Sequence, residues 1–116
     1  RDTFVLSLKG ENLPWYNEKY KPFIHDNVID WTQMVQWPEG STQKIHVDDT
    51  NDDTTIASIT FLNDNFDGGE IFFGEGTVIK PHKNKTIFFT GKKLIHGVKK
   101  VTNGDRYTIA TWYKKK

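Results

Sequence analysis

From Thr32 to Tyr113 the sequence keeps one beat: a short run of β-branched and aromatic residues, then a Gly, Asn or Asp that breaks it. Candidate strands at Thr32–Trp37, Thr42–Asp48, Thr55–Leu62, Glu70–Phe73, Thr77–Lys80, Thr86–Thr90, Leu94–Val98 and Asp105–Tyr113 succeed one another about every eight to twelve residues. That cadence is the signature of a sandwich or jelly roll rather than of βαβ units. In the longest β-branched stretch Ala57, Ile59 and Phe61 share a face, the period of two expected of a half-buried strand.

The N-terminal part differs. Thr3–Lys9 reads as a first strand ended by Gly10, and from Leu13 to about Ile29 the spacing of Leu13, Tyr16, Tyr20, Phe23 and Ile24 is helical, with Asn12 as cap and Pro22 as interruption. The expected architecture is therefore a mainly β double-stranded β-helix, or jelly roll, with a short N-terminal helical segment. A chain of 116 residues fits one domain, 1–116.

Composition narrows the chemistry. Lys and Arg total 16 against 15 Asp and Glu, so no overall field recruits nucleic acid or an anionic membrane. The absence of Cys excludes a disulfide scaffold, a zinc ribbon and a thiol nucleophile together, which leaves His and carboxylate as metal ligands. No apolar run approaches the ~18 residues that span a bilayer, and Arg1-Asp2-Thr3 has neither an initiator Met nor a signal-peptide core, so a cytoplasmic home is expected.

One triplet stands out chemically. In His46-Val47-Asp48 an imidazole and a carboxylate lie two residues apart, on the same side of a strand, and can converge on one ion while Val47 packs behind them. An isolated His-x-Asp is commonly a chance feature of a polar edge strand. His96, on a later strand expected to lie opposite across a small barrel, offers a third ligand. Two imidazoles and one carboxylate leave three positions of an octahedral metal open, an arrangement suited to non-haem Fe(II). Arg106 and Thr108 share a face of the last strand, so a fixed cation and a hydroxyl can bind a distal carboxylate. A tight hairpin at Asn103-Gly104 would leave Arg106 roughly 16 Å along the strand from His96. The last two strands are therefore expected to diverge into different sheets.

Several segments taken in order, His46-x-Asp48, then Ile59-Thr60-Phe61-Leu62-Asn63-Asp64-Asn65-Phe66-Asp67-Gly68-Gly69-Glu70, then His96-Gly97-Val98 and Val101-Thr102-Asn103-Gly104-Asp105-Arg106-Tyr107, resemble the 2-oxoglutarate and Fe(II)-dependent oxygenases of the prolyl 4-hydroxylase-like branch. The resemblance runs from about Gln33 to Tyr113. It implies Fe(II) held by His46, Asp48 and His96, with the C5 carboxylate of 2-oxoglutarate bound by Arg106 and O2 as second co-substrate. Ascorbate is an optional reductant in such a system. Trp37 and Phe61 stand where relatives often carry co-substrate-binding Tyr residues, so both positions lose a hydroxyl. The implied reaction is hydroxylation of an unactivated C–H bond with release of succinate and CO2, and a prolyl residue of a peptide or protein is the first expectation for the target. A peptidyl-lysyl or other amino-acid hydroxylase is the alternative within this chemistry, and a non-catalytic jelly-roll binding module the alternative outside it. Oligomeric state is not specified.

Other features read more plainly. His25 and His82 suit capping or surface roles, and Asp49-Thr50-Asn51-Asp52-Asp53 lacks the Gly and Glu of a calcium loop, Thr54 and Thr60 standing there instead. Trp31, Trp37, Trp112, Phe88 and Phe89 are expected in the core. Trp15 and Tyr16 with Lys19 and Lys21 suit either a peptide or sugar platform or helix packing, and Lys114-Lys115-Lys116 suits a frayed tail.

Overall fold

Strand formation follows the alternation of side chains closely. The structure, a computed structural model, describes residues 4–8 and 26–116. Among these the regular elements are all strands: β1 (Phe4–Leu8), β2 (Asn27–Trp37), β3 (Gln43–His46), β4 (Thr54–Phe61), β5 (Asp67–Gly68), β6 (Ile71–Phe73), β7 (Val78–Ile79), β8 (Thr86–Phe89), β9 (His96–Val98), β10 (Val101–Asn103) and β11 (Arg106–Lys115). They make a five-stranded sheet in the order β1-β2-β11-β4-β8, a four-stranded sheet β3-β9-β6-β7, and a small pair β10-β5. All pairings are antiparallel, and the whole is a jelly roll.

The major sheet supplies one wall of the interior. β11 lies at its centre, with Arg106 opposite Trp37, Thr108 opposite both Val35 and Phe61, and Trp112 opposite Trp31 and Ala57. Because side chains alternate, Arg106, Thr108, Ala110 and Trp112 all face the same cavity. The opposite face carries Thr32, Ser58, Thr111 and Tyr113, all fully buried. Its hydroxyls pair across strands, Thr32 Oγ1 with Thr111 Oγ1 at 3.2 Å and Ser58 Oγ with Tyr113 Oη at 3.3 Å, so polar groups inside cost little.

Three expectations need correction. The helical reading to Ile29 fails at its end, because Asn27, Val28 and Ile29 belong to β2 and pair with Lys115, Lys114 and Tyr113. A long, fully paired neighbour outweighs a local helical spacing here. The rest of that segment, with His25 and the Trp15–Lys21 cluster, lies outside the described residues. The terminal lysines are no frayed tail: Lys114 and Lys115 extend β11, Lys116 N–H donates to Asp26 O at 3.0 Å, and Lys114 Nζ sits 3.7 Å from Asp30 Oδ1. Finally, β9 does not face β3 across the barrel. The two are hydrogen-bonded neighbours with His46 directly opposite His96, which brings the imidazoles together more directly than the expected crossing.

The divergence of the last strands is present, with β9 in the minor sheet, β10 in the small pair and β11 in the major sheet. The turn at 104 uses Gly104 at φ 83°, a conformation side chains with Cβ rarely adopt. β5 and β10, of two and three residues, arise from this crossing rather than from any local run.

Candidate metal site and its cavity

β3 ends at His46, and Val47-Asp48 continues beyond the ladder, with Asp48 N–H donating to Gly91 O at 2.9 Å. The expected alternation still holds where it matters, since His46 and Asp48 both face inward while Ile45 and Val47 are exposed. One ligand-type atom from each of His46, Asp48 and His96 lies within 4.8 Å of the others. Asp48 Oδ1 is 3.4 Å from His46 Nε2 and 3.1 Å from His96 Nε2. The rings of the two histidines stand 4.5 Å apart.

Backbone carbonyls set the orientation of both rings. Nδ1 of His46 donates to Lys44 O at 2.8 Å, and Nδ1 of His96 to Leu94 O at 2.7 Å, the same contact two residues back in each strand. With Nδ1–H committed to a carbonyl, each ring directs Nε2 at the centre of the site, where it would offer a metal its lone pair on losing any proton there. Phe89, with its ring centroid 4.8 Å from that of His96, fixes the second ring from the side.

Electrostatics prepare the trio for a cation. Burial alone pushes the Asp48 carboxyl up, but hydrogen bonds from His96 and Trp112, with the nearby imidazoles of His96 and His46, outweigh it and leave it below its ordinary value. For His96 burial pushes downward, while the bonds to Asp48 and to the Leu94 carbonyl prevail and raise it. Asp48 is thus ionised at neutral pH, and at His96 a metal must compete with a proton held more tightly than usual.

The trio opens into a cavity of about 360 Å³ whose lining also includes Trp37, Arg106, Thr108 and Trp112. Arg106 is 1% exposed, and its Nε has no hydrogen-bond partner. Among the described residues no carboxylate lies within ion-pair range of it. Its guanidinium carbon sits 5.1 Å from the Trp37 ring centre and 5.4 Å from that of Phe61. Burial lowers its pKa to about 10, so it remains a cation at neutral pH. Trp37 adds a second buried donor without a partner, its Nε1. A buried, unpaired cation beside an unused N–H is a cradle for a carboxylate.

The structure therefore brings His46, Asp48, His96, Arg106, Thr108 and Trp37 to one cavity, whereas Phe61, fully buried, reaches it only through the guanidinium it packs against. His82 is exposed. The acidic loop is tied down by Lys92, whose Nζ donates to Asn51 O at 3.0 Å and Asp52 O at 3.1 Å. Three contributors went unrecognised in the sequence. Trp112, expected only as core, donates from Nε1 to Asp48 Oδ2 at 3.1 Å. Asn63 holds the backbone on both sides of Arg106: Nδ2 donates to Asp105 O, and Oδ1 accepts from Tyr107 N–H, each at 2.9 Å. Gly69, at φ +71°, leaves room for the Arg106 stem, since a Cβ there would come within 2.8 Å of Cδ. The Leu-Asn-Asp…Gly-Gly-Glu stretch pointed to this region without revealing what Asn63 and Gly69 do.

Fold and donor set together define a jelly roll shaped for a mononuclear metal held by two imidazoles and one carboxylate, beside a carboxylate-binding cation. The chain belongs to the 2OG-Fe(II) oxygenase superfamily, matching that family over residues 32–114. It is 42% identical over 64 residues to prolyl 3-hydroxylase 2 of Mus musculus, a match spanning 49% of this chain and 9% of that protein. Among solved structures, a 2OG-Fe(II) oxygenase family oxidoreductase from Burkholderia pseudomallei superposes with a TM-score of 0.80 at 18% identity, over 98% of this chain and 67% of that one. A Trichoplax adhaerens prolyl hydroxylase, solved with a hypoxia inducible factor peptide fragment, gives 0.79 at 19% identity, over 99% of this chain and 64% of that one. Membership implies Fe(II), with 2-oxoglutarate and O2 as co-substrates. The donor set and the unpaired Arg106 fit both the metal and the diacid.

Proposed function

We propose that this chain is the catalytic domain of an Fe(II)- and 2-oxoglutarate-dependent dioxygenase that hydroxylates a prolyl residue of a peptide or protein, converting 2-oxoglutarate to succinate and CO2. What carries the reading is the meeting, in one cavity, of three ligand atoms within 4.8 Å of one another with a buried cation that has no counter-charge among the described residues. His46 and His96 hold the metal through Nε2 and Asp48 through Oδ1. Arg106 takes the C5 carboxylate of 2-oxoglutarate, and the Thr108 hydroxyl and Trp37 Nε1 add donors from the same wall. Phe61 lends a ring face to the guanidinium instead of a hydroxyl to the ligand.

When bound, Fe(II) and 2-oxoglutarate supply the oxidising power for attack on an unactivated C–H bond. This chain's own share is position. Arg106 fixes the far end of the diacid, the carbonyl-oriented imidazoles fix the metal end, and the aromatic walls of Trp37, Phe89 and Trp112 keep bulk water from the space between. The similarity to prolyl 3-hydroxylase 2 supports a prolyl target.

Anaerobic titration with Fe(II) and 2-oxoglutarate is expected to give a weak visible metal-to-ligand charge-transfer band. His46→Ala, Asp48→Ala and His96→Ala are each expected to lose it, and to lose succinate formation, while remaining folded. No band from the wild type would identify a non-catalytic jelly roll. Turnover on lysine-containing but not proline-rich peptides would move the target to lysyl residues, and hydroxyproline analysis reads whether C3 or C4 is attacked.

A further inference from the structure

Asp48 turns its two oxygens to different neighbours. Oδ1 faces the imidazoles, 3.4 Å from His46 Nε2 and 3.1 Å from His96 Nε2, whereas Oδ2 accepts the Trp112 Nε1–H bond at 3.1 Å. Stacking on Trp31, centroids 4.5 Å apart and planes within 18°, holds the Trp112 ring so that its single donor points at the carboxylate. Gly91 borders the same oxygen. A Cβ built at position 91 would overlap Oδ2 and stand 2.8 Å from Cγ of Asp48. The backbone of Gly91 is not left-handed, so space rather than conformation demands a glycine there. Its carbonyl also anchors Asp48 N–H at 2.9 Å, fixing the main chain beneath the side chain.

We propose that Trp112 and Gly91 are positioning residues that make Asp48 a one-oxygen ligand, Trp112 by tethering Oδ2 and Gly91 by leaving the space Oδ2 occupies. The proposal rests on the metal-site reading above. A carboxylate free to rotate can turn both oxygens to a metal and fill a fourth position. Held as it is here, it would offer a bound metal one oxygen and leave the remaining positions free for co-substrates. The tether spans the two sheets, from β11 to the segment after β3, so the sheet packing itself sets the carboxylate angle.

Co(II) titration of the metal-free protein, followed by the visible absorption of the ion, tests this without turnover. Trp112→Phe keeps a smaller ring against Trp31 and removes the donor; Gly91→Ala adds one methyl group. Each is expected to weaken Co(II) binding about 10–100-fold, with an unchanged metal-free circular dichroism spectrum. In an Asp48→Ala background Trp112→Phe is expected to change Co(II) affinity no further, a coupling that packing alone would not produce. Wild-type affinity in both variants, or an equal loss in the Asp48→Ala background, would overturn the proposal. Failure of the wild type to bind Co(II) would instead overturn the metal-site reading, so the two failures are separable.

Discussion

Replacing Arg106 with Met should make the empty protein more stable while abolishing its response to the co-substrate. The guanidinium is 1% exposed and unpaired at Nε, and burial brings its pKa from the ordinary arginine value down to about 10. A gap of that size corresponds to about 3 kcal/mol that folding must supply to keep the group charged at neutral pH. The folded value is the lower one, so the unfolded chain holds the proton more tightly. The cost is therefore present throughout the range below about 10 and is relieved only as pH rises above that value. Against it stand the contacts with Trp37 and Phe61, together worth about 1–2 kcal/mol. Met retains an unbranched, adaptable stem for the same space. The net gain is about 1–2 kcal/mol, or roughly 4–10 °C in melting temperature for a domain of this size. Thermal unfolding is then repeated with Mn(II) and 2-oxoglutarate. At ligand a hundred times its dissociation constant the wild type should gain about 2.7 kcal/mol and the variant almost nothing. An Arg106→Met protein that melts below the wild type, or that keeps the ligand-induced rise, would refute the view that an uncompensated buried cation awaits a carboxylate.

Asn63→Ala should weaken 2-oxoglutarate binding about tenfold while leaving Co(II) affinity unchanged, because the amide grips the backbone flanking Arg106 and the Asn65 side chain but no metal-site residue; titration calorimetry of the diacid against Co(II) absorption separates the two. Asp48→Asn should lower the metal-free melting temperature more at pH 5 than at pH 8.5. The lowered Asp48 contributes stability above about 3.9 that is lost as pH falls through its folded value, and the raised His96 contributes stability below about 6.5 that is lost as pH rises through its folded value. A difference independent of pH, measured in excess chelator, would count against the ion pair.

Most of the strand pattern was legible because a buried wall imposes a period of two, and Ala57, Ile59, Arg106 and Thr108 obey it. The ligand trio was legible as a set of residue types, yet its pairing was not. Whether β9 lies beside β3 or across from it is decided by hydrogen bonds between segments about fifty residues apart in sequence, which local spacing does not encode. Trp112 shows a different blind spot. Its size announces burial, whereas the use of its N–H depends on which carboxylate the opposing sheet delivers. Gly91 and Asn63 read as turn residues, and their roles come from one overlapping atom and two backbone groups, visible only in three dimensions.

One strand ties these roles together. Arg106 and Trp112 are six residues apart on the cavity face of β11, so their Cα atoms stand roughly 20 Å apart along the strand, with Thr108 and Ala110 between them. In the proposed site one end takes the diacid's far carboxylate and the other tethers the carboxylate of Asp48, so the pitch of a single β-strand sets the distance between the two halves. Both neighbours of β11 break register after Trp112, β2 immediately and β4 one residue later, so the ladder is regular over the stretch that carries function and irregular only beyond it. An even number of positions from one anchor to the other keeps them on one face. An odd number would turn one of them outward, however well the sheet itself were paired.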